Sequence, residues 1–141
     1  MITYQDTLEN ITPAGLKGFF AGWKSPPPSE EKFYEILEGS AEIVLAVDDE
    51  SNRVVGFITA ISDGIQNAFI PLLEVLPQYQ RRGIGRELVK RMLTKLDRYY
   101  AVDLTCDPAL QPFYGKSGMM PSTGMCIRNF NWTAGHSPEG E

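Results

Sequence analysis

Apolar positions along the chain fall into several runs of strand length and one clear helical stripe. Residues 43–47 (IVLAV) and 54–61 (VVGFITAI) are separated by the acidic and polar stretch 48–52, and together they predict an antiparallel hairpin. A turn at Ser62, Asp63 and Gly64 leads to a third run, 68–75 (AFIPLLEV). Pro71 is awkward there, because proline cannot donate to a ladder: either the strand is split by a bulge or its first half lies at an edge. Over 83–97 the period changes. Gly85, Leu88, Val89, Met92, Leu93 and Leu96 follow the spacing of one buried helix face, with Glu87, Lys90, Arg91 and Lys95 on the other.

The flanking segments predict shorter elements. Residues 2–4 read as a first strand. Thr12 and Pro13 suit a cap and first helical position, with Leu16, Phe19 and Phe20 as the apolar face that follows. The stretch 22–28 (GWKSPPP) breaks that helix, and Ser29 caps a second one carrying Phe33, Ile36 and Leu37 on one side. Residues 100–106 (YAVDLTC) read as a strand. Asp107 and Pro108 open a short helix reaching Lys116, Gly118 closes it, and residues 125–130 form a last strand. A single domain over 1–130 is expected, with 131–141 a flexible tail rich in Gly, Pro and Ser. Antiparallel strands running into strand-helix-strand predict an α/β (α+β) fold, a mixed sheet with helices on its faces.

Bulk properties narrow the function. A chain of 141 residues can bury its own core. Its net charge of −5 and pI near 4.9 argue against a broad nucleic-acid footprint, which needs clustered Lys and Arg. The sequence has no apolar run long enough for a membrane helix and no signal-peptide pattern at its start, so a soluble, cytoplasmic protein is expected. Cys106 and Cys126 lack metal-type spacing, and no metal is expected. His136 is the only histidine and lies in the polar tail, which disfavours Ser-His-Asp and Cys-His catalysis.

Against this acidic background, Arg81, Arg82, Arg86, Lys90 and Arg91 crowd one segment. The run from Val75 to Arg86 joins a strand to a helix whose first turn holds Gly83 and Gly85. Opening N–H groups of a helix have no partner within it, its dipole favours negative charge, and glycine allows close approach to the backbone. A phosphate or diphosphate is the natural guest. A glycine pair easing helix-sheet packing is the plainer alternative. Both the third glycine of the dinucleotide pattern and the Lys-Ser/Thr of a P-loop are missing.

The stretch 73–88 (LEVLPQYQRRGIGREL) resembles the central motif of the GCN5-related N-acetyltransferase (GNAT) superfamily, with Gln80, Gly83 and Gly85 at the hallmark positions. A second stretch, 112–119 (PFYGKSGM), is similar to that family's Phe-Tyr-x-x-x-Gly-Phe, with Met119 in place of the last Phe. The resemblance covers roughly residues 43–130. It implies a mostly antiparallel twisted sheet flanked by helices, with a splayed strand pair at an acyl-CoA site.

It also implies N-acyltransferase activity, most simply acetyl transfer from acetyl-CoA to a primary amine by direct attack. By position, backbone amides of Arg81, Arg82, Gly83, Ile84, Gly85 and Arg86 would cradle the coenzyme A diphosphate. Leu73, Val75 and Leu76 would pair with the pantetheine arm, the Leu76 amide facing the thioester oxygen. Phe113 and Tyr114 would adjoin the cofactor, with Tyr114 as general acid. Asp107 stands where relatives often have an Asn contacting the cofactor, and a helix cap is its other reading. Glu74 is the nearest acidic candidate for general base, although strand alternation turns it away from Leu73 and Val75. Phe19, Phe20, Trp23, Phe33 and Tyr34 would line an acceptor pocket or simply pack as core. A non-catalytic acyl-CoA sensor is the alternative function, and a homodimer is common among relatives.

Overall fold

A computed structural model of the chain describes residues 1–23 and 25–135. The predicted hairpin forms as β2 (Glu42–Asp48) and β3 (Arg53–Ser62), with β1 (Ile2–Gln5) antiparallel on the outer side of β2. Two short strands share the other side of β3. β5 (Leu73–Val75) pairs with its first half through Gly56, Phe57 and Ile58, while β4 (Asn67–Phe69) pairs with Ile61 and Ser62. β6 (Ala101–Asp103) runs parallel to β4 at the end of the sheet. The sheet is thus mixed, mostly antiparallel and open, and three helices flank it: α1 (Glu30–Gly39), α2 (Ile84–Lys95) and α3 (Gln111–Gly115).

The single strand expected over 68–75 is split, and Pro71 marks the break. On one side of it the Ile70 N–H donates to the Asp103 carbonyl at 2.9 Å; on the other, Leu72 accepts from the Thr59 N–H at 3.0 Å. The chain therefore changes neighbours across Pro71, from β6 to β3. The parallel pairing ends there, which is why β6 stops at Asp103 and not at residue 106. Beyond that point β5 pairs with β3 alone, and no strand lies on its other side among the described residues.

The two sheet faces are packed differently. α2 presses Ile84, Leu88, Val89 and Met92 onto β2, β3 and β5, all four side chains buried. Gly56 makes that approach possible: a Cβ there would lie 3.2 Å from Ile84 Cγ2 and Leu88 Cδ1. On the opposite face Phe57 meets Phe33 of α1 (centroids 4.6 Å apart) and Phe19 (5.1 Å), and Phe20 adds a further edge-on contact to Phe33. Ser29 caps α1 by accepting from the Lys32 N–H, as its sequence suggests.

Two expected elements differ. In place of a first helix, the chain makes a single 3-10 turn, Pro13–Leu16, and then bends with Gly18 and Phe20 at φ 98° and 64°. Gly18 lies against Arg53 and Leu76, where a Cβ would come within 3.2 Å of both, so the segment hugs the sheet instead of continuing as a helix. The last strand expected at 125–130 is also absent: residues 121–129 have no regular structure and are exposed, and Phe130–Gly135 is a 3-10 helix. The rest of the expected tail, with His136, lies outside the described residues.

Thr59 is fully buried in β3, and its Oγ1 has no hydrogen-bond partner among the described residues. An unpaired buried hydroxyl costs its desolvation without return, so an apolar isostere is favoured. Thr59→Val is expected to stabilise the fold by about 1 kcal/mol, read as a higher urea midpoint with unchanged slope. A lower midpoint would mean that the hydroxyl has a partner.

Candidate active site

The end of β5, the start of α2 and α3 meet at the place where the sheet opens. The ladder to β3 determines what β5 offers. Leu72 and Leu76 exchange hydrogen bonds with Thr59 and Val55, so Glu74 between them also turns its backbone toward β3. Leu73 and Val75 turn theirs to the open side. The Leu76 N–H donates to the Val55 carbonyl at 2.8 Å, and its side chain is buried. This corrects the expectation for Leu76: its amide is committed to the ladder, and the outward N–H beside it belongs to Val75. The Val75 carbonyl accepts from the Gln80 side-chain amide at 2.9 Å. Gln80, a hallmark residue by sequence, thus ties the loop back to the strand.

Between β5 and α2 the chain makes a 3-10 turn, Pro77–Tyr79, and then two left-handed steps, Arg81 at φ 63° and Gly83 at φ 82°. Open space surrounds the Cβ position of Gly83, so conformation is what calls for glycine there. Gly83 is the N-cap of α2 and supplies no side-chain bond. The N–H groups of Ile84, Gly85 and Arg86 have no hydrogen-bond partner among the described residues. Ile84 itself points into the core. The side chains of Arg81, Arg82 and Arg86 are exposed and form no ion pair among the described residues; the Arg82 guanidinium lies 5.2 Å from the Tyr79 ring centroid. The start of α2 is thus without a side-chain cap, and three exposed arginines belong to its first turn and the loop before it.

Phe113 and Tyr114, on α3, stack edge to face at 5.0 Å. Phe113 also reaches α2, since a Cβ on Gly85 would make ordinary contact with Phe113 at 3.5 Å and with Val75 at 3.8 Å. Gly85 is therefore the point where all three elements touch. Tyr114 is half-buried; burial foremost, with Cys106 nearby, raises its phenol above the ordinary value of 10.0. Asp107 is exposed and makes no side-chain cap to the turn it precedes, so the capping role suggested for it is not used.

Glu74 points to the other face. It sits opposite Phe57 in the ladder, on the side of the aromatic cluster, whereas Leu73 and Val75 share the α2 side with Ile58 and Gly56. Its carboxylate accepts from the Phe20 N–H at 2.9 Å. Burial raises its pKa above 4.5, and that hydrogen bond partly opposes the shift. Of the aromatics named from sequence, Phe19, Phe20 and Phe33 are buried in the cluster, Tyr34 is half-buried, and Trp23 is exposed at 52%, edge-on to Phe20.

Two contributions escaped the sequence reading: the close approach at Gly56 and the bond from the Phe20 N–H to Glu74. Gly56 carries a usable signal, as an isolated glycine within an apolar strand run marks a close approach. Phe20 carries none, because nothing local links it to Glu74 across the intervening chain.

Comparison with known proteins identifies the family and the fold. The sequence model of the Acetyltransferase (GNAT) family matches residues 8–119. A crystal structure of a protein assigned as an acetyltransferase from Deinococcus radiodurans R1 is 45% identical, with a TM-score of 0.90 over 95% of this chain and 92% of that one. A GNAT family acetyltransferase from Streptococcus pneumoniae TIGR4 is 30% identical, with a TM-score of 0.66 over 92% of this chain and 98% of that one. An uncharacterized N-acetyltransferase of Porphyra purpurea is 29% identical over 103 residues, 70% of this chain but 58% of that protein, so the chain spans little more than half the length of that relative. The chain belongs to the GNAT acetyltransferase family.

Proposed function

We propose that the protein is an N-acetyltransferase that moves the acetyl group of acetyl-CoA to a primary amine by direct attack. The observation that carries this reading is the convergence at Gly85: outward peptide groups of β5, uncapped N–H groups of α2 and the Phe113–Tyr114 pair open onto one place. Use of acetyl-CoA is typical of the family. The residues present suit it, offering N–H donors and guanidinium groups to a diphosphate and a free strand edge to an amide-bearing arm. Neither feature needs a metal or a histidine. Transfer from a free coenzyme pool, with Cys106 and Cys126 as free thiols, also fits a cytoplasmic setting.

Each residue then has a defined task. The N–H groups of Ile84, Gly85 and Arg86 bind phosphate oxygens, and Arg81, Arg82 and Arg86 add positive potential. Leu73 and Val75 hold the pantetheine arm as an added strand, and the Val75 N–H stabilises charge developing on the thioester oxygen. Tyr114 donates a proton to the leaving thiolate. A thiol titrates near 8.5 and a phenol near 10; burial raises the phenol further, so the transfer is uphill and suits a concerted step with C–S cleavage. An alkylamine with a pKa near 10 arrives mostly protonated. With one oxygen on the Phe20 N–H, Glu74 uses the other to remove a proton, directly or through water. The amine approaches from the aromatic face, where polyamine, aralkylamine, amino-acid and protein-lysine acceptors are the classes to compare. Thiol release from acetyl-CoA with such a panel tests the reaction, and thermal shifts with coenzyme A against NAD and ATP test the ligand.

Gly85→Glu is expected to weaken coenzyme A binding by roughly 100-fold or more, since it places a carboxylate at the start of a helix that favours anions. Gly85→Ala, whose Cβ makes only ordinary contacts, keeps binding within a few-fold by calorimetry. Retained affinity in the Glu variant would remove the cradle.

Tyr114→Phe preserves the stack on Phe113 and deletes the proton. Turnover is expected to fall roughly 100-fold while KM for acetyl-CoA changes little. Full activity would remove the acid role.

Glu74 must be ionised to act as base, and burial raises its pKa, so the acid limb of kcat/KM is expected above 4.5, with activity lost as pH falls through it. Glu74→Gln keeps an oxygen for the Phe20 N–H but cannot take the proton, so this limb disappears and turnover drops. An unaltered pH profile in Glu74→Gln excludes Glu74 as the base.

A further inference from the structure

The turn between β2 and β3 and the segment around the first 3-10 turn enclose a cavity that the proposed reaction does not use. It measures about 540 Å³, and its polar lining is Asn10, Thr12, Lys17, Ser51, Asn52 and Arg53. That volume falls within the usual range of small-molecule sites, roughly 300–1,000 Å³. The cavity lies at the start of β3, the end opposite the one that pairs with β4.

Local structure explains why these residues meet. Asn52 closes the β2–β3 turn at φ 57°, and Asn10 sits at φ 63° in the turn closed by the Ile11 N–H on the Leu8 carbonyl. Asparagine tolerates this left-handed conformation. Gly15 lets the two segments touch, since a Cβ there would lie 3.1 Å from the Asn52 carbonyl oxygen. The Arg53 guanidinium then lies against the main chain of Lys17 and donates to its carbonyl at 3.4 Å. Two cations remote in sequence thus line one cavity.

No carboxylate offsets them. None of the lining residues is acidic, and neither Lys17 nor Arg53 forms an ion pair among the described residues. The acidic residues of the adjoining turn have other partners: Asp48 accepts from the Glu50 N–H at 3.0 Å, and Asp49 pairs with the N-terminal ammonium at 3.3 Å. Arg53 is half-buried all the same. A partly desolvated cation whose one protein partner is a distant carbonyl gains from an incoming anion. Neutral donors stand beside it. Ser51 Oγ accepts from the Arg53 N–H at 3.3 Å and keeps its own proton to donate, and the Thr12 side chain makes no capping bond.

We propose that this cavity binds a phosphate group, either free or at the end of a small organic molecule. Arg53 offers a planar fork and Lys17 a point charge. A tetrahedral anion carrying close to two charges has oxygens for both and for the Ser51 and Thr12 hydroxyls, which a flat carboxylate lacks. The site shares no residue with the start of α2. Its ligand ties the segment from Thr12 to Lys17 onto the β2–β3 turn, just ahead of Phe20.

Amide chemical shifts of the full chain, followed in a titration with inorganic phosphate at constant pH and ionic strength, test this residue by residue. Saturable shifts are expected at Gly15, Lys17, Ser51, Asn52 and Arg53 with a Kd of about 1 mM, and acetate at the same concentrations is expected to give none. Lys17→Gln alters an exposed side chain, so the urea midpoint stays unchanged while phosphate affinity falls roughly tenfold. Arg53→Gln is expected to weaken binding at least as much. Glycerol 3-phosphate is the second probe: tighter binding than phosphate assigns the cavity to an organic phosphate, and equal or weaker binding assigns it to the free ion. Shifts at Ile84, Gly85 and Arg86 report separately on the start of α2, so failure at one site is not read as failure at the other. Four results would overturn the proposal: no saturable shift at roughly ten times the expected Kd, shifts confined to residues 84–86, an equal response to acetate, or unchanged affinity in Lys17→Gln.

Discussion

Pro71 has no N–H, and the chain changes partners around it. Ile70 is bound to β6 and Leu72 to β3. Only a strand as long as β3 serves both halves, its first part pairing with β5 and its last with β4. The other consequence falls on the far side. Once β6 has followed β4 as far as Asp103, no strand among the described residues remains to pair with Leu73 and Val75; the Val75 carbonyl is taken by the Gln80 side-chain amide, and the Val75 N–H is left without a partner among the described residues. In most sheets such an edge within the fold would be a defect. Here it lies beside the start of α2, whose first N–H groups have no hydrogen-bond partner among the described residues and whose neighbours Arg81, Arg82 and Arg86 are exposed.

Gly56 decides how close that helix comes. With no Cβ at this point, Ile84 and Leu88 settle directly onto β3 beside Val75, and the first turn of α2 is brought level with the end of β5. Burial of an Ile or Leu side chain contributes about 1.5–3 kcal/mol, so the core holds the loop with its left-handed steps at Arg81 and Gly83. Arg81 at φ 63° is a cost that this packing offsets. The same principle operates on the opposite face. Phe20 at φ 64° is an unusual conformation for an aromatic residue, and it is held by contacts with Phe33 and by the Glu74 carboxylate.

Much of this was legible in the sequence, and what was not has identifiable physical reasons. The β2–β3 hairpin and α2 follow from apolar periodicity, because each buries a face that the pattern spells out. The break at Pro71 followed from the lack of an N–H, while the identity of the two partners depended on tertiary pairing. The first helix failed because propensity at Thr12 and Pro13 was overridden by Gly18, which folds the segment against Arg53 and Leu76. Leu76 was misjudged for a different reason. Sequence identifies a strand but not which alternate amides turn inward, and the bond to Val55 settles that only in three dimensions. For residues 125–130 the expected strand is absent: β-propensity is a weak, context-dependent signal, and no pairing with the sheet realises it among the described residues.

Burial of Glu74 links the two faces. A half-buried carboxylate resists ionisation, and one N–H bond offsets part of that cost. The donor is the backbone of Phe20, in the segment that leads to the exposed Trp23. In the proposed reaction, the group that accepts the proton and the segment nearest the incoming amine are therefore a single mechanical unit. A shift of Phe20 would move the base and raise its pKa further, and ionisation of the base would tighten its hold on Phe20. In that proposed reaction, acceptor fit and proton removal would be coupled through this one contact, whereas the Tyr114 phenol, the proposed acid, lies with Phe113 near Gly85 and has no such link to Phe20.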